Sequence, residues 1–119
     1  MPVLNLNRQG EVATLQNAAT GAANGTALDV TNAVGALFRV SGTYTGLTVN
    51  WEASLDGGTN YDAVQAPPLS TRTYAATATA NGLYLLPNIA GLTHVRARLT
   101  ASTPTGNMTV QAVRVEVLA

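Results

Sequence analysis

Between positions 47 and 55 apolar and polar side chains alternate without a break. Leu47, Val49, Trp51, Ala53 and Leu55 fall on one side; Thr48, Asn50, Glu52 and Ser54 fall on the other. A period of two is the geometry of a strand with one dry and one wet face, whereas a helix would scatter the same residues around its circumference. Asp56-Gly57-Gly58-Thr59 follows, with glycines that supply positive φ for a tight hairpin. Asn60 to Gln65 is therefore expected to return as the partner strand.

The rest of the chain repeats this rhythm. Thr, Val, Gly, Ala and Asn dominate, and Gly, Asn or Pro punctuates the sequence roughly every ten residues, the spacing of an all-β domain. Strands are expected at Glu11 to Gln16, Thr26 to Thr31, Val34 to Ser41, Gly82 to Leu86 and Thr93 to Ala101. Asn17 to Gly25 is read as a flexible connection, and Gly42 to Gly46 and Ser102 to Asn107 as turns. Pro67-Pro68 cannot donate to a ladder and marks a break or an edge. Thr71 to Ala80 alternates Ala and Thr with little to bury, which suits a flat edge strand.

In the last stretch Met108, Val110 and Ala112 share one face and Val113, Val115 and Val117 the other; a β-bulge near Ala112 would keep both sets on the core. The expected fold is an antiparallel two-sheet β-sandwich, jelly-roll or Ig-like, of about eight strands. Residues 1–20 are expected to form an extended N-terminal arm and residues 21–119 the sandwich domain.

Composition narrows function mostly by exclusion. The chain has 119 residues, room for one core, and a formal net charge of zero from six basic and six acidic residues. Only 10% of residues are charged, against roughly 25% in an ordinary soluble domain. There is no cysteine, which removes thiolate nucleophiles, disulfides and cysteine-ligated metals. A single histidine, His94, excludes multi-histidine metal sites, and the absence of lysine excludes Schiff-base chemistry and a Walker-type phosphate lysine. A neutral balance gives no electrostatic claim on nucleic acid. No apolar run approaches ~18 residues, so no membrane helix is expected. The N-terminus, Met1-Pro2-Val3-Leu4-Asn5-Leu6-Asn7-Arg8, lacks the charged and apolar regions of a cleaved signal peptide.

No motif for catalysis stands out. Asp56, Asn60 and Asp62 surround a glycine turn, but Gly58 occupies the third position where a calcium loop needs an oxygen ligand, so turn capping is the expected role. No serine sits in a nucleophile elbow. His94 is expected on an outward strand face, and Trp51 in the core by alternation. Tyr44 and Tyr74 are the aromatics expected to be exposed. Arg96 and Arg98 share an outward face and could grip a partner's carboxylates bidentately. An apolar-spaced arm, Val3, Leu4 and Leu6 followed by Arg8, has little to bury inside one small domain. With few charges to hold neighbours apart, such a surface suits burial against other subunits.

Taken in order, these pieces resemble a family of small β-sandwich virion proteins of tailed bacteriophages. The resemblance rests on Asn24-Gly25-Thr26-Ala27-Leu28-Asp29-Val30, Phe38-Arg39-Val40-Ser41-Gly42-Thr43, the Glu52-Ala53-Ser54-Leu55-Asp56-Gly57-Gly58-Thr59-Asn60-Tyr61 hairpin, Gly82-Leu83-Tyr84 and Ala90-Gly91-Leu92-Thr93-His94-Val95-Arg96-Ala97-Arg98. It covers roughly residues 20 to 118. Tyr61 stands where the family usually has Trp after the turn, and Trp51 where the preceding strand usually has Phe. The resemblance implies a structural virion component with no catalytic residues and no cofactor. The expected role is a capsid decoration (cement) protein of the phage head, made in the host cytoplasm. Its partners would be the major capsid protein or other virion subunits, and further copies of itself, a trimer being one candidate. The alternative is a carbohydrate- or receptor-binding module of a tail or head fibre. The candidate interface residues are Val3, Leu4, Leu6, Arg8, Tyr74, Arg96 and Arg98.

Overall fold

A computed structural model describes residues 7–9 and 11–117. Among these residues there is no helix. Eight strands form one antiparallel sheet: β1 (Asn7–Gln9), β2 (Ala13–Ala19), β3 (Leu28–Asp29), β4 (Gly35–Ser54), β5 (Asp62–Ala63), β6 (Thr77–Ala78), β7 (Gly82–Pro87) and β8 (His94–Val117).

Two long strands organise everything else. β4 and β8 pair from Gly35↔Val115 to Ser54↔His94, with a single register shift between Thr45 and Leu47. In the first half of β4 the ladder is flanked by β7 on the β4 side and by β1 and β2 on the β8 side. In the second half β5 and β6 flank β4, and β3 flanks β8. The two segments read as turns, 42–46 and 102–107, are therefore part of the ladder rather than chain reversals. Their glycines permit a sharp bend, not an end.

The bend is proved by the core. Phe38 and Trp51 lie on the same strand, and a straight strand would hold them roughly 44 Å apart at ~3.4 Å per residue. Their ring centroids are 4.6 Å apart. Tyr84, paired with Phe38 on β7, meets Trp51 from the same half at 5.2 Å. The sheet is thus one hydrogen-bonded surface doubled over, with its two halves facing each other across a single core. The expectation of two separate sheets is corrected in this respect.

The register shift explains the parity of the burial. Ala36, Phe38 and Val40 are buried before it, and Leu47, Val49, Trp51 and Ala53 after it. The same switch occurs on β8, from Val95, Ala97 and Leu99 to Met108, Val110 and Ala112. Without the irregularity one half would present its polar face to the core.

Several local expectations need correction. No bulge occurs near Ala112: the β8–β4 register runs unbroken from Val115 to Thr105. Val113 and Val115 therefore take the parity opposite to Ala112, where Val113 is buried at 8% exposure and Val115 half-buried, and the register shifts lie instead on β2, between Thr14 and Gln16 and between Gln16 and Ala19. Residues 13–19, counted with the arm on sequence, are a paired strand because Leu15 and Gln16 are buried at 2% and 4% exposure. The connection after β2 is pinned and not free. Gln16 Nε2 donates to the carbonyls of Ala23 and Ala97, and Ala23 bridges Leu99. The Ala/Thr strip 71–80 pairs only at Thr77–Ala78. Leu55 is 73% exposed, and Ser54 takes the buried place because the chain leaves the ladder there.

The loop after β4 is organised by Asp56. Its carboxylate accepts the Ser54 hydroxyl (2.7 Å), the backbone N–H of Asn60 (3.0 Å) and the Asn60 side-chain amide (2.7 Å). Those donors, the Asn60 N–H first, lower its pKa to about 2. A depressed carboxylate stabilises the fold above its unfolded pKa, and that contribution is lost as the pH falls through about 4 towards 2. Urea midpoints measured at pH 5 and at pH 2.5 should fall further for the native protein than for Asp56→Asn. Equal falls would mean that this loop contributes nothing to acid lability.

Candidate functional site

Doubling the sheet leaves two outward faces of different chemistry. On the first half, residues of the parity opposite to the core are largely apolar. Leu37 pairs with Leu85 on one side and Val113 on the other, and Gly35 pairs with Val115. Leu83 and Val12 stand at the margins, 44% and 57% exposed. Between them lies a shallow hollow of about 230 Å³ lined by Val12, Leu37, Arg39, Leu83, Gln111 and Val113. This surface follows from the unbroken register on β8; Val113 is buried within it, as expected for a core residue, and Val115 is half-buried.

The second half presents charge. Glu52 pairs with Arg96 across the ladder, and Arg98 is the next outward residue on β8. Glu52 Oε1 accepts Nε–H of Arg96 at 2.8 Å and Oε2 accepts Nε–H of Arg98 at 3.0 Å. Partial burial pushes the Glu52 pKa up, but the two arginines outweigh it and leave the carboxyl below its ordinary value. The Arg96 guanidinium sits 3.9 Å from the Tyr61 ring centroid, a cation–π contact. Asn50 donates to the carbonyl of Arg98 and to Thr100 Oγ1, tying the adjacent rungs together.

The sequence-predicted residues are only partly gathered. Arg96 and Arg98 are brought together as expected. Tyr74 is 63% exposed but lines a separate groove with Pro67, Leu69, Arg72 and Leu85. Val3, Leu4 and Leu6 lie outside the described residues. Arg8 is placed on β1 in register with Glu116. Tyr44 does not form an open stacking platform: it is half-buried, and its hydroxyl donates to Thr79 O and Asn81 Oδ1. His94 is half-buried beside Thr93, with 3.1 Å between its Nδ1 and Thr93 Oγ1. Glu52 and Tyr61 belong to the charged face, and sequence reasoning missed them as partners. The available signal was register: a hairpin after Ser54 and a strand from Thr93 place Glu52 opposite Arg96. Among the described residues no group of three or more His, Asp or Glu side chains could hold a metal.

The XepA family model matches residues 10–113. The chain belongs to the XepA family. The match starts inside the segment taken for an arm, in keeping with β2 as part of the sheet. Two solved structures share the fold. The SPBc2 prophage-derived protein YomS is 21% identical with a TM-score of 0.83, and the alignment covers 98% of this chain and 100% of YomS. The PBSX exported protein XepA is 18% identical with a TM-score of 0.84, and the alignment covers 96% of this chain but only 40% of XepA. This XepA-family chain thus corresponds to all of one relative and to less than half of the other. By name YomS is prophage-derived and XepA is an exported protein. No curated protein matches the chain.

Proposed function

We propose that this XepA-family protein is a structural component of a bacteriophage virion, a decoration protein that binds the assembled head and stabilises it by contacts between subunits. The observation that carries this reading is the apolar hollow on the first half, where the exposed Val12 and Leu83 flank the half-buried Leu37 and the buried Val113. Val12 and Leu83 stay 57% and 44% exposed in the monomer, whereas a subunit seated on a shell buries them. The sparse charge, 10% of residues, supports the same reading, because it leaves little repulsion to oppose close packing. A ligand that binds the assembled shell and not its free subunits stabilises the shell by mass action.

The test is a phage carrying a deletion of this gene. Its heads should lose density in micrographs and break at lower temperature than wild-type heads, and added purified protein should restore both. Leu83→Asp should fold like the native chain, because the side chain is already exposed, yet fail to restore the heads. Deletion heads of unchanged density and heat resistance discard the decoration role. Binding to a glycan array that is lost on Tyr74→Ala would favour instead a receptor-binding module, with the exposed Tyr74 groove as its site.

A further inference from the structure

We infer that Arg96 and Arg98 form a preorganised site for one carboxylate, supplied by an acidic side chain of a protein partner. Each guanidinium carries five N–H bonds. Glu52 takes only the Nε–H of each. The four N–H bonds on the Nη atoms of each arginine make no hydrogen bond among the described residues. Charge is also left over: two arginines less one glutamate gives +1, and no other carboxylate pairs with either guanidinium among the described residues.

The pair is held in place before any ligand arrives. Glu52 spans both arginines with its two oxygens, and its side chain is only 12% exposed. The Tyr61 ring supports the Arg96 guanidinium at 3.9 Å. Much of the rotamer freedom that two surface arginines would lose on binding is therefore already lost on folding. The arginines themselves remain open, with side chains 21% and 33% exposed. A planar carboxylate matches the guanidinium fork, and a single negative charge neutralises the surplus. A phosphomonoester dianion would reverse it. The flanking outward positions, Thr48, Asn50 and Thr100, are short and polar, so a partner's backbone can approach closely.

Nothing here depends on the head-decoration reading, because the site is tested on the purified chain alone. The full chain, labelled with nitrogen-15 at arginine, is titrated with a short capped threonine peptide bearing one central glutamate. The same peptide with glutamine serves as control. The Nε resonances of Arg96 and Arg98 should shift and saturate with the glutamate peptide only, while those of Arg39 and Arg72 stay in place. Arg98→Gln should weaken binding roughly fivefold or more by removing one fork. Glu52→Gln should weaken it roughly twofold or more, because an amide has one acceptor oxygen and cannot hold both guanidinium groups in place. A merely structural ion pair predicts the opposite, no saturable binding in the native chain and only lost stability in Glu52→Gln. Parallel, unsaturable shifts at all arginines would overturn the site. So would saturation by diethyl phosphate with no response to the glutamate peptide, which would point to a phosphodiester polymer. If Glu52→Gln does not fold, the native and Arg98→Gln titrations decide the matter.

Discussion

Trp51→Ala should cost about 3–5 kcal/mol of folding stability, the largest loss from any single core truncation in this chain. Trp51 is fully buried and is the contact between the two facing halves, meeting Phe38 at 4.6 Å and Tyr84 at 5.2 Å. Alanine would leave a cavity at the point where the layers touch, and a sheet tied together by its own backbone has limited freedom to collapse into it. The urea midpoint should fall with the slope of the transition unchanged. Trp51→Phe should cost far less than its loss of volume suggests. The indole N–H is buried without a partner among the described residues, and removing an unsatisfied donor recovers part of its desolvation cost. A Trp51→Ala loss below about 1 kcal/mol, against the 3–5 expected for a buried tryptophan, would mean that the halves are held together elsewhere.

Gly106→Val is the second severe substitution, at about 3 kcal/mol from combined backbone strain and steric overlap. Gly106 has φ of +73° and pairs with Tyr44 where the ribbon bends. A β-carbon there would overlap the carbonyl oxygen of Thr43. A β-branched residue disfavours this φ as well. Gly57→Val is the comparison, because Gly57 also has positive φ but open space around it. Thermal unfolding should show a clearly larger drop for Gly106→Val than for Gly57→Val. Equal drops would assign the whole effect to φ and none to the close approach at the bend.

The elements that the sequence showed plainly are those in which local pattern and tertiary role agree. The alternation from Leu47 to Ala53, the turn at Asp56 and strand β7 all have one buried face and clear punctuation. Misreadings cluster where a glycine had two physical uses. Gly42, Gly46 and Gly106 carry the signals of chain reversal, yet here they serve a ladder that bends and continues. Sequence patterns cannot separate the two uses, because both need positive φ and close backbone approach. Val113 is buried, as its apolar character implies, but it reaches cover on the face away from Ala112 and without the expected bulge. The apolar outer face was thus present in the sequence as a conflict of parity. The charged face was half legible: the arginine pair was visible from its spacing, but Glu52 and Tyr61 reach it only through pairing and packing across strands.

The doubled sheet also sets an order of assembly. Partners on β4 and β8 are separated by 40 residues at Ser54↔His94 (94 less 54) and by 80 at Gly35↔Val115 (115 less 35). Closing the longer loop first costs about 0.6 kcal/mol more for the doubled length. Pairing is thus expected to begin beside the hairpin end and to zip towards the chain termini, carrying the growing ribbon around its glycine elbow. Contacts so distant in sequence make for slow folding. Until the elbow closes, Trp51 has no opposite wall, and the half that forms first waits with its inner surface wet.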